Sequence, residues 1–231
     1  MFTHVLPKGP SMSSRAASRP AERTTPPPES AATRREQILR AAMDCFAARG
    51  FRGTTTRDIA AGVGITEAAL YRHFESKEAL YKAILDAKAA APPLDEAVAD
   101  AAARGDDRAV FLGLARAILE GVARDPSFLR ILFYSGLEGH ALSEPFFAKR
   151  VRRLREFLAE YLARRMREGA FRTMDPTLGA RAFLGMVMDF MVVREVFGQH
   201  DVYPHPVEQA AETFVDLFLD GICAQEKNRA R

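Results

Sequence analysis

The stretch TTTRDIAAGVGITEAALYRHF, residues 54–74, decides the fold that the sequence predicts. A short helix is expected to begin near Thr56, with either Thr55 or Thr56 as its cap. Gly64 then supplies the positive φ of a tight turn at no steric cost. Thr66 follows in the position of a cap for a second short helix. This order of helix, glycine turn and helix is typical of a helix-turn-helix unit, whose second helix enters the major groove of DNA.

The second helix of this unit has a buried and an exposed face. Leu70 and Phe74 lie four residues apart and are expected to point the helix into a core. The exposed face comprises Glu67, Ala68, Ala69, Tyr71, Arg72 and His73. Its small first turn suits a close approach to base edges and thymine methyl groups, and its Tyr and His side chains can donate hydrogen bonds to phosphates. Lys77, which follows the capping residue Ser76, adds another donor near the start of the next helix.

The rest of the chain also predicts helices. Thr33 and Glu36 have the spacing of a capping box, and Gly50 is expected to end the helix that they begin. Asp125-Pro126 and Asp175-Pro176 each place an acid before a proline, a common pattern at helix starts. No segment shows the sustained alternation of β-strands. The sequence therefore predicts an all-α protein of about nine or ten helices.

Composition and charge divide the chain into a tail and two domains. Residues 1–32 are rich in Pro, Ser, Ala and Arg and are expected to form a disordered tail. Residues 33–80 are assigned to a three-helix DNA-binding domain, and residues 81–231 to a larger helical domain. Residues 33–82 carry nine Lys/Arg and six Asp/Glu, a net charge of +3, whereas residues 83–231 have a net charge of −2. This division favours a polyanion as the partner of the N-terminal part.

Composition also limits the location of the protein. Hydrophobic residues make up 48% of the chain and charged residues 27%, which allows a sizeable core and an ordinary polar surface. Arg, Glu or Gly interrupts the longest apolar runs before they reach about 18 residues, the length needed to cross a bilayer. The N-terminus lacks the continuous apolar segment of a secretory signal. We therefore expect a cytoplasmic protein with no membrane partner.

No catalytic residue, metal site or cofactor is predicted. The sequence contains no Gly-x-Ser-x-Gly, phosphate-binding-loop or Rossmann pattern, and its five histidines are scattered. Cys45 and Cys223 lack metal-ligand spacing and are expected to be small buried apolar residues. These features disfavour an enzyme. A helical adaptor that binds protein partners and has an incidental basic region stays an alternative, which salt-dependent DNA affinity would separate from a regulator.

The stretch from Thr33 to Leu85 resembles the N-terminal domain of tetracycline-repressor (TetR)-family regulators. The residues that carry the resemblance are Phe51, Ile59-Ala60, Gly64, Leu70-Tyr71-Arg72-His73-Phe74 and Lys77-Glu78-Ala79-Leu80. The resemblance implies a transcriptional regulator, more often a repressor, that binds a palindromic DNA operator as a homodimer. It also implies that a small-molecule effector releases the protein from DNA.

The resemblance assigns roles to residues of the helix-turn-helix unit. Phosphate-contacting positions of the family fall on Thr56, Thr66, Tyr71, His73 and Lys77, and base-reading positions fall near Arg57 and the turn Glu67–Ala69. Ala68 and Ala69 stand where members of the family often carry glycine or a polar side chain, which leaves few hydrogen-bonding groups for direct readout. Base specificity is therefore expected to depend on Arg57, Thr66, Arg72 or DNA shape.

The resemblance also places an effector site and a dimer interface in the C-terminal part. Candidate effector-binding residues are Phe111, Tyr134, Phe157, Tyr161, Met186 and Asp189, with core packing as the alternative for each. Asp189 has apolar neighbours and needs a partner, for which Arg181 and Arg194 are close in sequence. The dimer candidates on the last two helices are Leu178, Ala182, Phe190, Phe197, Phe214, Leu217 and Phe218. The alternative is that both helices simply face the core of their own chain.

Overall fold

The computed structural model describes residues 31–90, 96–139 and 143–224, and these residues form eleven α-helices and no strand. The helices are Ala31–Arg49 (α1), Thr56–Val63 (α2), Glu67–Tyr71 (α3), Lys77–Ala90 (α4), Glu96–Arg104 (α5), Asp107–Arg124 (α6), Pro126–Glu138 (α7), Glu144–Phe146 (α8), Arg152–Arg167 (α9), Pro176–Met191 (α10) and Val207–Ile222 (α11). Two π-helical turns, Phe147–Val151 and Val192–Val196, precede α9 and follow α10. The predicted all-α fold is confirmed.

The first helix begins earlier than its capping pattern predicts. Its first residue is Ala31, so Thr33 lies inside the first turn and the predicted N-cap is wrong. Alanine is the strongest helix former, which allows the helix to continue past a threonine that could cap it. Gly50 ends the helix as predicted, with a φ of 72°. The predicted disordered tail, residues 1–32, lies outside the described residues except for the two alanines that open α1.

A first hydrophobic core lies among α1, α2, α3 and α4. Its largest fully buried residues are Ile38, Phe46, Ile59, Leu70, Leu80 and Tyr81. The rings of Phe46 and Tyr81 meet edge to face, with centroids 5.1 Å apart. Ile131 of α7 and Phe146 of α8 complete the same core, so the N-terminal helices pack directly on the rest of the chain. One helix, α4, crosses the predicted domain boundary between Leu80 and Tyr81, and both residues belong to this core.

A second core is enclosed by α5, α6, α9, α10 and α11. Two helices of the fold, α7 and α10, begin at the predicted acid-proline pairs. The Asp175 carboxylate accepts hydrogen bonds from the backbone N–H groups of Thr177 and Leu178 at 2.8 and 2.9 Å, which confirms it as a cap. Asp125 makes no such cap bond, because its carboxylate pairs with the Lys88 ammonium of α4 instead.

The run formed by α10 and its π-helical turn is unusually apolar. Pro176–Val196 is the one helix among the described residues that is long and apolar enough to cross a membrane, with a mean hydropathy of 1.3. Arg181 and Asp189 lie within this run, yet its mean hydropathy is still high enough for a membrane-spanning helix. Its buried residues, which include Phe183 and Val187, face the second core. A core helix meets the same criterion, so the run is weak evidence for a membrane and the absence of a membrane partner stays a prediction.

Candidate nucleic-acid interface

The start of α2 is fixed by a capping box around Thr55. Its hydroxyl accepts a hydrogen bond from Asp58 N at 3.2 Å, and the Asp58 carboxylate accepts one from Thr55 N at 3.1 Å. The hydroxyl and backbone bonds from Thr55, with Arg49 3.3 Å from the carboxylate, hold the pKa of Asp58 below its usual range. Thr55 is therefore the cap, and the Thr56 hydroxyl is available to neighbours on α3.

Thr55→Ala is expected to lower the free energy of unfolding by about 1 kcal/mol, because an N–H group at the helix start loses its acceptor. At pH values above the ordinary pKa of Asp58, its ionised carboxylate stabilises the fold. This contribution is lost as pH falls through the lowered pKa that Asp58 has in the folded protein. The variant should lose less stability than wild type on acidification. Urea unfolding followed by circular dichroism at neutral and acidic pH measures both effects. Thr213→Ala, whose hydroxyl bonds within α11, is the control, and equal losses in both variants would contradict the assignment.

The turn between α2 and α3 has the predicted glycine geometry. Gly64 adopts φ 72° and ψ 32°, a left-handed conformation that favours glycine, and its N–H donates to Ala61 O at 3.1 Å. The Thr66 hydroxyl then caps α3 by accepting from Ala69 N at 3.2 Å. Leu70 of α3 is fully buried, so the opposite side of this short helix faces solvent.

Three polar side chains join α2 to the exposed side of α3. The Thr56 hydroxyl donates to Glu67 Oε1 at 2.7 Å and lies 3.3 Å from the Tyr71 hydroxyl. The first residue of α2 is thereby linked to both ends of α3. Among the other predicted DNA contacts, Arg57, Thr66, Ala68 and Arg72 are exposed, and Ala69 and His73 are half-buried. These residues belong to one helix-turn-helix unit and offer hydroxyl, carboxylate, guanidinium and methyl groups together.

Lys77 differs from the other predicted contacts because its ammonium group has acceptors inside the protein. Its Nζ atom donates to Phe51 O and Thr54 O, each at 2.8 Å, and lies 4.3 Å from the centroid of the Phe51 ring. A groove of about 370 Å³ runs beside it and is lined by Arg52, Thr54, Thr55, Thr56, Tyr71, Glu75, Ser76, Lys77 and Glu78. The N-terminal ends of α2 and α4 both open onto this groove.

Sequence reasoning missed two residues at this site. The Glu138 carboxylate at the end of α7 accepts from Phe51 N and Arg52 N, each at 3.2 Å. The Arg52 guanidinium in turn donates to Glu138 O at 3.2 Å. Arg52 could have been noted as a basic residue just before α2. Nothing in the sequence indicates that Glu138, 86 positions away, reaches the same turn.

The six candidate effector residues do not form a single site. Phe111 and Tyr161 are buried with ring centroids 6.1 Å apart, and Phe157 stacks on Tyr161 at 6.4 Å. Burial and a 2.6 Å hydrogen bond to Asp107 raise the pKa of the Tyr161 phenol. Tyr134 lies elsewhere, with its hydroxyl donating to a backbone carbonyl of α1 at 3.1 Å. Aromatic packing within the second core therefore accounts for three of the candidates.

The remaining two candidates lie on α10, where Met186 is half-buried against the second core and Asp189 is exposed. Met186 lines a groove between α10 and α11. Asp189 is exposed, and within the described ranges it pairs with neither Arg181 nor Arg194, so the expectation of a buried acid that needs a partner is wrong. Its apolar neighbours in sequence face the core on the other side of the helix, which leaves the carboxylate in water. Arg194 donates to His205 O at 2.9 Å instead.

The dimer candidates divide between the surface and the core. Leu178, Phe197 and Leu217 are 68, 67 and 63% exposed, and Ala182 is exposed beside them. Phe190 and Phe218 are buried and Phe214 is half-buried, so the alternative that they face their own core fits these three better. A groove of about 420 Å³ between the helices is lined by Arg172, Met174, Asp175, Leu178, Gly179, Ala182, Met186, Leu217, Phe218, Gly221 and Ile222.

The cysteines do not match the expectation that both are buried. Cys45 is half-buried, and Cys223 is exposed because it follows the last turn of α11. Partial desolvation raises the pKa of both thiols, and for Cys223 the nearby carboxylates of Asp107 and Asp220 raise it further. Within residues 31–90, 96–139 and 143–224, no group of three or more His, Cys, Asp or Glu side chains could hold a metal ion.

Two family models match the chain. The model of bacterial regulatory proteins of the tetR family matches residues 38–84, and the model of the C-terminal domain of AefR-like transcriptional repressors matches residues 112–221. Together they span the helix-turn-helix unit and most of the second core.

Individual proteins resemble the chain over different lengths. YvkB of Bacillus subtilis (strain 168), an HTH-type transcriptional regulator, is 24% identical over 196 residues, which cover 82% of this chain and 97% of YvkB. The HTH-type transcriptional repressor KstR2 of Mycolicibacterium smegmatis is 45% identical over 58 residues, only 25% of this chain and 28% of KstR2. The crystal structure of AibR in complex with isovaleryl coenzyme A and operator DNA matches with a TM-score of 0.59 and 26% identity, over 80% of this chain and 97% of AibR.

Proposed function

The chain belongs to the TetR family of bacterial regulatory proteins and is a helix-turn-helix transcriptional regulator, and from this we propose that it is a repressor. It binds a palindromic operator as a homodimer and leaves the operator when a small-molecule effector binds. This proposal depends above all on the Gly64 turn, which holds α3 with one side exposed as in helices that enter the major groove. We assign DNA binding to residues 33–80 and effector binding and dimerisation to residues 81–231.

The DNA contacts divide by chemistry. Phosphate contacts are assigned to the hydroxyl groups of Thr56, Thr66 and Tyr71 and to the imidazole of His73. For base contacts, Arg57 and Arg72 offer guanidinium groups suited to guanine, and the Glu67 carboxylate suits the amino group of cytosine. Ala68 and Ala69 present methyl groups that can contact thymine methyls. The bond from Thr56 to Glu67 supports this assignment, because it orients the carboxylate before DNA arrives.

Dimerisation is assigned to the exposed apolar surface of α10 and α11. Leu178, Phe197 and Leu217 would each leave a large apolar area in water in a monomer, and the groove that Leu178 and Leu217 line is mostly apolar. A two-fold dimer matches a palindromic operator, whose half-sites lie about 34–36 Å apart on one face of the DNA. The exposed surface and the operator symmetry therefore support the same assembly.

The effector is proposed to act through the spacing of the two DNA-binding units. AibR, a structural relative, has been crystallised with both a coenzyme A thioester and operator DNA, which supports a joint response to ligand and DNA in this fold. We retain Phe157 and Tyr161, whose rings stack on α9 at the second core, as the candidates for one wall of the effector site. A ligand that favours a different spacing of the two units lowers the affinity of the protein for DNA by some factor. Bound DNA then lowers the affinity of the protein for that ligand by the same factor. This role places the protein in the cytoplasm.

Binding to DNA from the region around the gene, at two salt concentrations, tests the proposal. Wild type should bind a palindromic duplex in preference to a scrambled one. Tyr71→Ala should weaken binding to all duplexes by a similar factor and leave the dependence of log K on log salt nearly unchanged, because a neutral hydroxyl group hydrogen-bonds a phosphate without neutralising its charge. Leu137→Ala on α7 is a surface control that should bind like wild type. If wild type bound no duplex from this region and a genome-wide selection also returned no bound sequence, the regulator proposal would give way to the adaptor alternative.

A further inference from the structure

The backbone of the turn between α1 and α2 is held by two opposite charges. The N–H groups of Phe51 and Arg52 donate to the Glu138 carboxylate. The carbonyl groups of Phe51 and Thr54 accept from the Lys77 ammonium. An anion therefore takes the donors of the turn and a cation takes its acceptors, and hydrogen bonds to ionised partners are stronger than neutral ones.

The two charged residues come from different parts of the chain. Lys77 is the first residue of α4, and Glu138 is the last residue of α7. The turn that they hold leads directly into Thr55, the cap of α2, and Thr56, which contacts α3. The fit at Gly50 is close, because a Cβ atom there would lie 2.3 Å from Glu138 Oε1. A shift of this turn would therefore move the start of α2.

The Lys77 side chain is oriented toward the protein. Two of the three ammonium N–H groups are used by the carbonyls of the turn, and the ammonium also lies over the face of the Phe51 ring, a favourable cation–π arrangement. Phe51 itself is buried against Phe46 and Tyr81, so the ring is a fixed platform. Lys77 thus contacts the turn that precedes α2 through two hydrogen bonds and one cation–π contact of its ammonium group.

We propose that Lys77 and Glu138 are positioning residues that jointly set the DNA-binding conformation of the turn and of α2. The Lys77 ammonium acts on the turn and not on a DNA phosphate. This inference rests on the proposed function, which it deepens by naming the residues that orient the DNA-binding unit. It also links α7, in the C-terminal part, directly to that unit.

Lys77→Met keeps the length of the stem and removes the charge. We expect it to lower operator affinity at least about tenfold, the smallest effect expected for the loss of one hydrogen bond to a charged group. The slope of log K against log salt should stay at the wild-type value. A phosphate contact would instead reduce the slope by about 0.9 per contact, or by about 2 for a dimer. Lys82→Met, an exposed lysine of the same helix, is the control and should bind nearly as wild type does.

Glu138→Gln separates positioning from electrostatics because the two effects have opposite signs. Loss of an acid ordinarily strengthens binding to a polyanion, so weaker operator binding by this variant indicates a displaced turn. The double variant should lose less than the sum of the two single losses, since both residues hold the same turn. Glu120→Gln, an exposed acid of α6, is the control and should bind as tightly as wild type or slightly tighter.

Amide hydrogen exchange of the free protein gives a measurement that does not need DNA. Glu138→Gln should speed exchange at Phe51 and Arg52 and leave the amides of α10 unchanged. A reduced salt slope for Lys77→Met would overturn the proposal, as would operator affinity and amide exchange at wild-type values for Glu138→Gln. Failure of the proposed function is a separate result, because wild type would then show no operator binding while the exchange difference would remain.

Discussion

Phe111→Ala is expected to lower the free energy of unfolding by about 3–5 kcal/mol, the cost of removing a buried aromatic ring and leaving a cavity. The Phe111 side chain is 0% exposed, and its ring centroid lies 4.9 Å from that of Phe183 and 5.1 Å from that of Phe218. Three helices, α6, α10 and α11, therefore meet on this one ring. The surrounding rings cannot all move inward, so most of the cavity should remain.

Urea unfolding at a fixed protein concentration measures this loss, with circular dichroism as the signal because the chain contains no tryptophan. Phe147→Ala, a partly exposed phenylalanine of the π-helical turn before α9, is the control. Its loss should stay below about 1 kcal/mol, as is usual for surface substitutions. If Phe111 lined an open ligand cavity instead, its truncation would cost little more than the control.

The helix-turn-helix unit could be predicted because its determinants are local. Gly64 and Thr66 act within a few residues along the chain, through the left-handed turn and the cap of α3. Leu70 is buried as predicted because its spacing to Phe74 fixes one face of the helix. Thr55 and Thr56 could not be separated, since two adjacent threonines offer the same hydroxyl and the choice depends on which one Asp58 faces.

The partners of charged residues could not be predicted because they depend on packing between distant helices. Lys77 was expected at a phosphate, and its nearest acceptors are two carbonyls of a turn 23 and 26 positions earlier. Glu138 carries no sequence signal at all for its contact with that turn. Asp189 was expected to need a partner because its sequence neighbours are apolar, but a helix with one solvent-facing side can carry an acid there without any partner.

Leu217→Arg is expected to convert the proposed dimer to a monomer and to lower operator affinity by at least about a hundredfold, because a monomer loses the second half-site. The side chain is 63% exposed beside the apolar groove of α10 and α11. A two-fold interface contains each substituted residue twice, so one change buries two like charges. Burying unpaired charges costs far more than removing the packing of the leucine side chain.

Sedimentation velocity measures the assembly, and fluorescence anisotropy with a palindromic duplex measures the affinity. The matched control is Leu137→Arg on α7, where the native leucine is even more exposed, at 84%, but lies outside the proposed interface. The control should sediment as a dimer.

The salt slope gives a second criterion, because a monomer neutralises about half as many phosphates and should show about half the wild-type slope of log K against log salt. A dimeric Leu217→Arg variant would place the interface elsewhere, because burying two unpaired arginines at a two-fold interface would strongly destabilise it. A monomeric variant that kept full affinity would instead separate dimerisation from operator binding.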